Sequence, residues 1–257
     1  MNARRWRLHV VALLSIAVGV AAVAGTAAAR PGKTSAGLTV LAASSLTDVF
    51  PKIDSGNKYS FGGSDALAAQ IQQGAPADVF AAASPKYPEQ LFQKGLVLKP
   101  VVFATNRLVV ITPASDPAGI GKVFDLCKSG VKVIVGDKAV PIGSYTRQML
   151  TNLGLQCVLQ NVVSNEQNVR DILTKISLGE ADAGFVYITD AKTVPGKVKT
   201  FALPGWAQPH VRYEIAVLKS SSKQAAAAAF IKTVLSKAGQ KRLAAAGFGA
   251  PKGKVKR

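Results

Sequence analysis

The chain has 257 residues, 48% of them hydrophobic, with 32 Lys and Arg against 14 Asp and Glu for a formal charge of +18. That length supports one large domain or two lobes. The excess charge is either a solubilised surface or the sign of an anionic partner: nucleic acid, an acidic cell envelope, or a small anion steered through solvent. Aromatic residues make up only 7% and the lysines are spread along the chain. With no helix-turn-helix, RNA-binding aromatic motif or zinc spacing, nucleic acid is not an expected partner.

The first 29 residues read as an export leader. Arg4, Arg5 and Arg7 are basic, Val10 to Val23 is an uncharged apolar run, and Ala27-Ala28-Ala29 offers a cleavage site before Arg30. The run is short for a membrane span, although an uncleaved anchor is the alternative. The leader has no cysteine, so no lipid-attachment signal is expected. Cleavage near Ala29 leaves roughly 228 residues and a charge of about +15. In an exported protein the only two cysteines, Cys127 and Cys157, are a candidate disulfide, with two buried free thiols as the alternative.

Leu38–Asp48 is the stretch around which the rest is organised. An apolar, β-branched run passes directly into Ser44-Ser45-Leu46-Thr47-Asp48, the chemistry of a helix start. Such a junction offers hydroxyls and free N–H groups, which together attract an anion. On its own it could simply be a cap. However, Tyr59–Leu67 has the same construction, with Ser64 at its turn.

Downstream, strands and helices alternate, which predicts an α/β fold with largely parallel sheets. Helices are expected over Ser64–Gln73, from Ser84-Pro85 to Gly95, over Gly121–Cys127 and Ser144–Leu153, and after a capping box at Ser164–Gln167. A later helix is expected over Ser222–Lys237, followed by a shorter one, with a basic tail at Lys252–Arg257. Strands are expected over Asp78–Ala82, Val101–Ala104, Arg107–Thr112, Val131–Val135, Gly184–Tyr187 and Val211–Leu218.

Seven segments in register resemble periplasmic molybdate-binding proteins, the solute receptors of bacterial molybdate ABC transporters. They are LTVLAASSLTD (38–48), FGGSDALAAQI (61–71), GAPADVF (74–80), NRLVVIT (106–112), VPIGSY (140–145), EQNVRDIL (166–173) and GEADAGFVYITD (179–190). The resemblance implies a type II periplasmic-binding fold with two lobes and the ligand in the cleft. Residues 30–105 with 213–257 would form one lobe and 106–212 the other, with crossings near Ala104–Arg107 and Val211–Glu214.

It further implies that a molybdate oxyanion, and tungstate with it, is held by Ser45 and Ser64 through hydroxyl and N–H groups. Ile142 and Val169 would contribute backbone N–H and Tyr187 its phenol, so molybdenum is bound only as its oxyanion. A membrane permease would be the partner of a monomeric, exported receptor with no cofactor and no catalytic residues. Two positions depart from the family pattern. Ile142 stands where a small residue is usual, and Asp65 sets a carboxylate beside Ser64.

Other readings remain at this point. A sulfate or phosphate receptor could use the same fold, and phosphate would need an acceptor such as Asp48 or Asp65. A serine hydrolase would depend on His210, the only histidine after the leader. The lysines could also bind an acidic envelope polymer.

Overall fold

The computed structural model describes residues 37–251. The leader and the basic tail lie outside these residues. Ten strands form two five-stranded sheets. In the first, β1 (Thr39–Ala43) pairs in parallel with β2 (Lys58–Gly62) and β3 (Val79–Ala82), while β10 (Val211–Val217) runs antiparallel between β3 and β4 (Val101–Asn106). In the second, β6 (Val133–Gly136) pairs in parallel with β7 (Val162–Glu166) and β8 (Ala183–Tyr187). Here β5 (Leu108–Pro113) lies antiparallel between β8 and β9 (Val198–Ala202). Both sheets follow one plan, and in each the antiparallel strand is the one that has just arrived from the other lobe.

The chain crosses at Arg107, between β4 and β5, and again over residues 203–210, between β9 and β10. Helices cover the sheets because their apolar residues recur on one face. α2 (Ser64–Gln72) and α3 (Lys86–Gln93) bury Leu67, Ala68, Ile71 and Leu91 with Phe80 of β3. α4 (Pro141–Leu153) and α5 (Val169–Ser177) bury Met149, Leu150, Ile172, Leu173 and Ile176 under the second sheet. The short α1 (Phe50–Ile53) and α6 (Ile188–Ala191) follow the junctions after β1 and β8, and α7 (Gln224–Leu235) and α8 (Lys237–Ala246) complete the first lobe.

Three local expectations are corrected. The helix expected over Gly121–Cys127 is a 3-10 turn over Val123–Cys127, in which the Asp125 carboxylate accepts the N–H groups of Gly121 and Lys122. Ser44 opens a three-residue 3-10 turn, not a longer helix. Ser164 to Glu166 lies in β7, and the cap of α5 is Asn168. In addition, the Ser144–Leu153 helix begins earlier, at Pro141, which places Ile142 in its first turn.

Cys127 and Cys157 are bonded, with Cα atoms 5.3 Å apart. They join two 3-10 turns that Asn161 also ties, donating to the carbonyls of Leu126 and Lys128. The bond closes a span of 30 residues, and in the chain-entropy account a loop of that length contributes about 3–4 kcal/mol. Replacing both cysteines by alanine is expected to lower the unfolding free energy by that amount, read as a lower denaturant midpoint. An unaltered midpoint would show that the turns are held without the bond.

Candidate functional site

Ser45, Ser64, Ile142, Val169 and Tyr187, nominated from five separate segments, line one cavity between the two lobes. Its wall is completed by Ala43, Ser44, Gly62, Gly63, Ala83, Val140, Pro141 and Asn168. None of these side chains is charged. The cavity leaves the centre of a water-sized sphere about 10 Å3. By the same measure one water needs about 10–15 Å3.

Each donor is set by its local element. Ser64 is the first residue of α2 and is buried, and its Oγ accepts from the Ala83 N–H at 3.1 Å. With one lone pair so used, the hydroxyl proton is free to point elsewhere. Ser45 sits in the 3-10 turn after β1, its Oγ 2.9 Å from the Tyr213 hydroxyl. α4 begins with Pro141, which has no N–H, so Ile142 carries the first free donor of that helix.

In α5 the Asn168 side chain accepts from the N–H groups of Arg170 and Asp171, at 2.9 and 3.2 Å, leaving the Val169 N–H unclaimed by the cap. Tyr187 ends β8, fully buried, and its hydroxyl has no partner. Burial lifts that phenol well above its ordinary pKa, so it remains an O–H donor at neutral pH.

Two glycines let backbone come close here. A side chain on Gly143 would strike the carbonyls of Gly136 and Asp137, so glycine allows the first turn of α4 to seat against the end of β6. A Cβ on Gly63 would lie 2.4 Å from the Gln167 carbonyl of the other lobe. The Gly63 backbone itself is ordinary, with φ of −64°, so a side chain is excluded by lack of space, against the Gln167 carbonyl and, 2.7 Å away, the Asp65 carboxylate.

The charged groups lie around the cavity. Arg170 of α5 holds Asp190 at 2.8 Å and reaches Asp48 of the first lobe at 2.5 Å. Burial pushes the Asp190 carboxyl up to about 6, against the pull of Arg170. Tyr87 of α3 donates across the cleft to the Ala139 carbonyl. Arg147 donates to the carbonyls of Gly136 and Gly143 and to Asn165.

Neither Asp48 nor Asp65 lines the cavity, and the exposed His210 is likewise absent from its wall. Among the described residues no group of His, Cys, Asp and Glu could hold a metal ion. Next to the cavity, and sharing Ser45 with it, is a wider space of about 510 Å3 bordered by Lys52, Arg170, Lys192 and Arg242.

Sequence reasoning missed Tyr213, Asn106, Asn168 and Gly63. The pair of Asn168 with Asp171 three residues later was the readable signal for the α5 cap. Nothing local marks the other three.

A family model described as bacterial extracellular solute-binding protein matches residues 38–249. The molybdate-binding protein ModA of Mycobacterium tuberculosis is 38% identical over 233 residues, covering 87% of this chain and 88% of the relative. That of Escherichia coli is 33% identical, covering 84% and 88%. Among solved structures, the periplasmic molybdate-binding protein of Azotobacter vinelandii aligns with a TM-score of 0.72 at 25% identity, over 82% of this chain and 98% of that one. The sulfate-binding protein SubI of Mycobacterium tuberculosis, at 19% identity and a TM-score of 0.69, shares the fold over 82% of this chain and 85% of its own.

Gly63→Ala tests whether close approach of the lobes matters. Ligand affinity is expected to fall about tenfold or more because the added methyl group meets the Gln167 carbonyl and holds the lobes apart. Parental affinity would mean that the lobes need not approach so closely.

Proposed function

Because the chain belongs to the bacterial extracellular solute-binding proteins, we propose that it captures molybdate, with tungstate as a near-equivalent ligand, and delivers it to an ABC permease. It does so outside the cytoplasmic membrane, as a monomer and without catalysing a reaction or holding a cofactor. The observation that carries this reading is the polar wall of the cavity. Its nominated groups are two serine hydroxyls, a phenol and backbone N–H groups, all neutral and all able to donate.

A tetrahedral dianion that stays deprotonated at neutral pH needs donors and no acceptor. Each hydrogen bond to a charged group contributes roughly 1.5–3 kcal/mol. Five to seven of them, about 8–21 kcal/mol in sum, cover the roughly 8–12 kcal/mol of micromolar to nanomolar binding, any surplus being consumed by desolvation and closure. Phosphate, which keeps a proton at that pH, finds neither Asp48 nor Asp65 on the wall. The molybdate-binding relatives at 33–38% identity support the same ligand class.

Ser45→Ala and Ser64→Ala are each expected to weaken molybdate binding by about 1.5–3 kcal/mol in calorimetric titration, with the fold retained. Parental titration curves for both variants would remove these serines from the site.

The charge should act on encounter. Exposed charge is screened over roughly 10 Å at 0.1 M salt, whereas buried neutral donors are little affected. Stopped-flow association is therefore expected to slow clearly as salt rises, with dissociation nearly constant. Steeply accelerated dissociation would mean that a cationic side chain holds the ion.

A further inference from the structure

A serine hydroxyl beside an anion can turn either its proton or its lone pair towards it, and only the first attracts. For Ser45 the direction is decided by two residues that do not line the cavity. Asn106 ends β4, at the point where the chain leaves the first lobe, and Tyr213 lies in β10, where it returns. The two strands pair there, with Val211 opposite Asn106.

The Asn106 Oδ1 accepts from the Arg107 N–H at 2.9 Å, which fixes the amide so that its Nδ2 is the group facing inward. That Nδ2 donates to Thr189 Oγ1 of the second lobe at 3.0 Å and to the Tyr213 hydroxyl at 3.4 Å. With Asn106 donating to its oxygen, the Tyr213 hydroxyl is left able to turn its own proton to Ser45 Oγ, 2.9 Å away. Burial lifts the Tyr213 phenol well above its ordinary pKa, so the proton is present at neutral pH. The ring is held edge-on by Phe103, Tyr187 and Phe248.

We propose that Asn106 and Tyr213 are positioning residues that fill the acceptor side of Ser45 and so commit its hydroxyl proton to the bound oxyanion. The relay runs from the crossing strands to the cavity, and through Thr189 it touches both lobes. Ser64 has the corresponding arrangement in simpler form, with the Ala83 N–H as its fixed donor. The inference rests on the reading that the cavity binds an oxyanion.

A double-mutant cycle tests it. Tyr213→Phe keeps the packed ring and removes only the hydroxyl. It is expected to weaken molybdate binding about tenfold in the parent, and less than twofold when Ser45 is already alanine, with the melting temperature of the ligand-free protein nearly unchanged. Asn106→Leu, which leaves the aromatic packing untouched, should weaken binding about threefold and likewise lose its effect with Ser45→Ala.

Parental affinity in Tyr213→Phe overturns the proposal. Equal losses with and without the Ser45 hydroxyl also overturn it, because they would mark a purely structural role. Should Tyr213→Phe fail to fold, the Asn106→Leu pair decides by the same criterion. If the parent itself takes up no molybdate, the functional reading falls first and the relay with it; the parental titration separates that result from failure of the relay alone.

Discussion

An ion removed from water must recover from the protein what hydration supplied, and a dianion can recover it only from donors. Ordinary polar side chains are poorly suited, because hydroxyls and amides bring acceptors along with their donors. Here protein groups are placed to take up those acceptors. Ser64 receives the Ala83 N–H, Ser45 is paired with Tyr213, and Asn168 takes two N–H groups of α5 without covering the Val169 N–H. Tyr187 is the complement of these, a buried hydroxyl with no protein partner. An unpartnered buried hydroxyl costs roughly 1–3 kcal/mol, a cost that a bound anion accepting its proton would remove.

The fold supplies these groups because β1, β2, β3, β6, β7 and β8 deliver their carboxyl ends to one place. Each sheet carries its central strands in parallel and one antiparallel strand that has come from the other lobe. The cavity wall is therefore assembled from short turns anchored in buried strands, with loops contributing little. The same arrangement puts the crossings beside the cavity, so Asn106 and Tyr213 are near enough to act on Ser45. Contacts that span the cleft, Arg170 with Asp48 and Tyr87 with Ala139, lie outside the wall and act between the lobes without adding charge to it.

Much of this could be read from residue patterns because its causes are local. An apolar run followed by Ser-Ser or Gly-Gly-Ser marks a strand that ends in a polar turn, and the apolar spacing of Val169, Ile172, Leu173 and Ile176 marks the buried face of α5. The errors have local causes too. β7 alternates half-buried and exposed residues at the edge of its sheet, so Ser164 resembled a cap, and β9, with Lys199 and Thr200 exposed at an edge, gave no strand signal. What escaped entirely depends on distant partners. Ser45 and Tyr213 are 168 positions apart, and the need for glycine at position 63 arises from a carbonyl on the opposite lobe. No periodicity carries either fact.

The central claim is that a tetrahedral dianion is held in this cavity by neutral donors alone. A crystal structure of the protein soaked with tungstate, phased on the tungsten, tests it most directly. The account predicts one strong anomalous peak between Ser45, Ser64 and Tyr187, with oxygens within hydrogen-bond distance of the Ile142 and Val169 N–H groups and no Lys or Arg nitrogen in contact. A peak seated instead among Lys52, Lys192 and Arg242 would contradict it, and would assign the anion to the cationic part of the cleft.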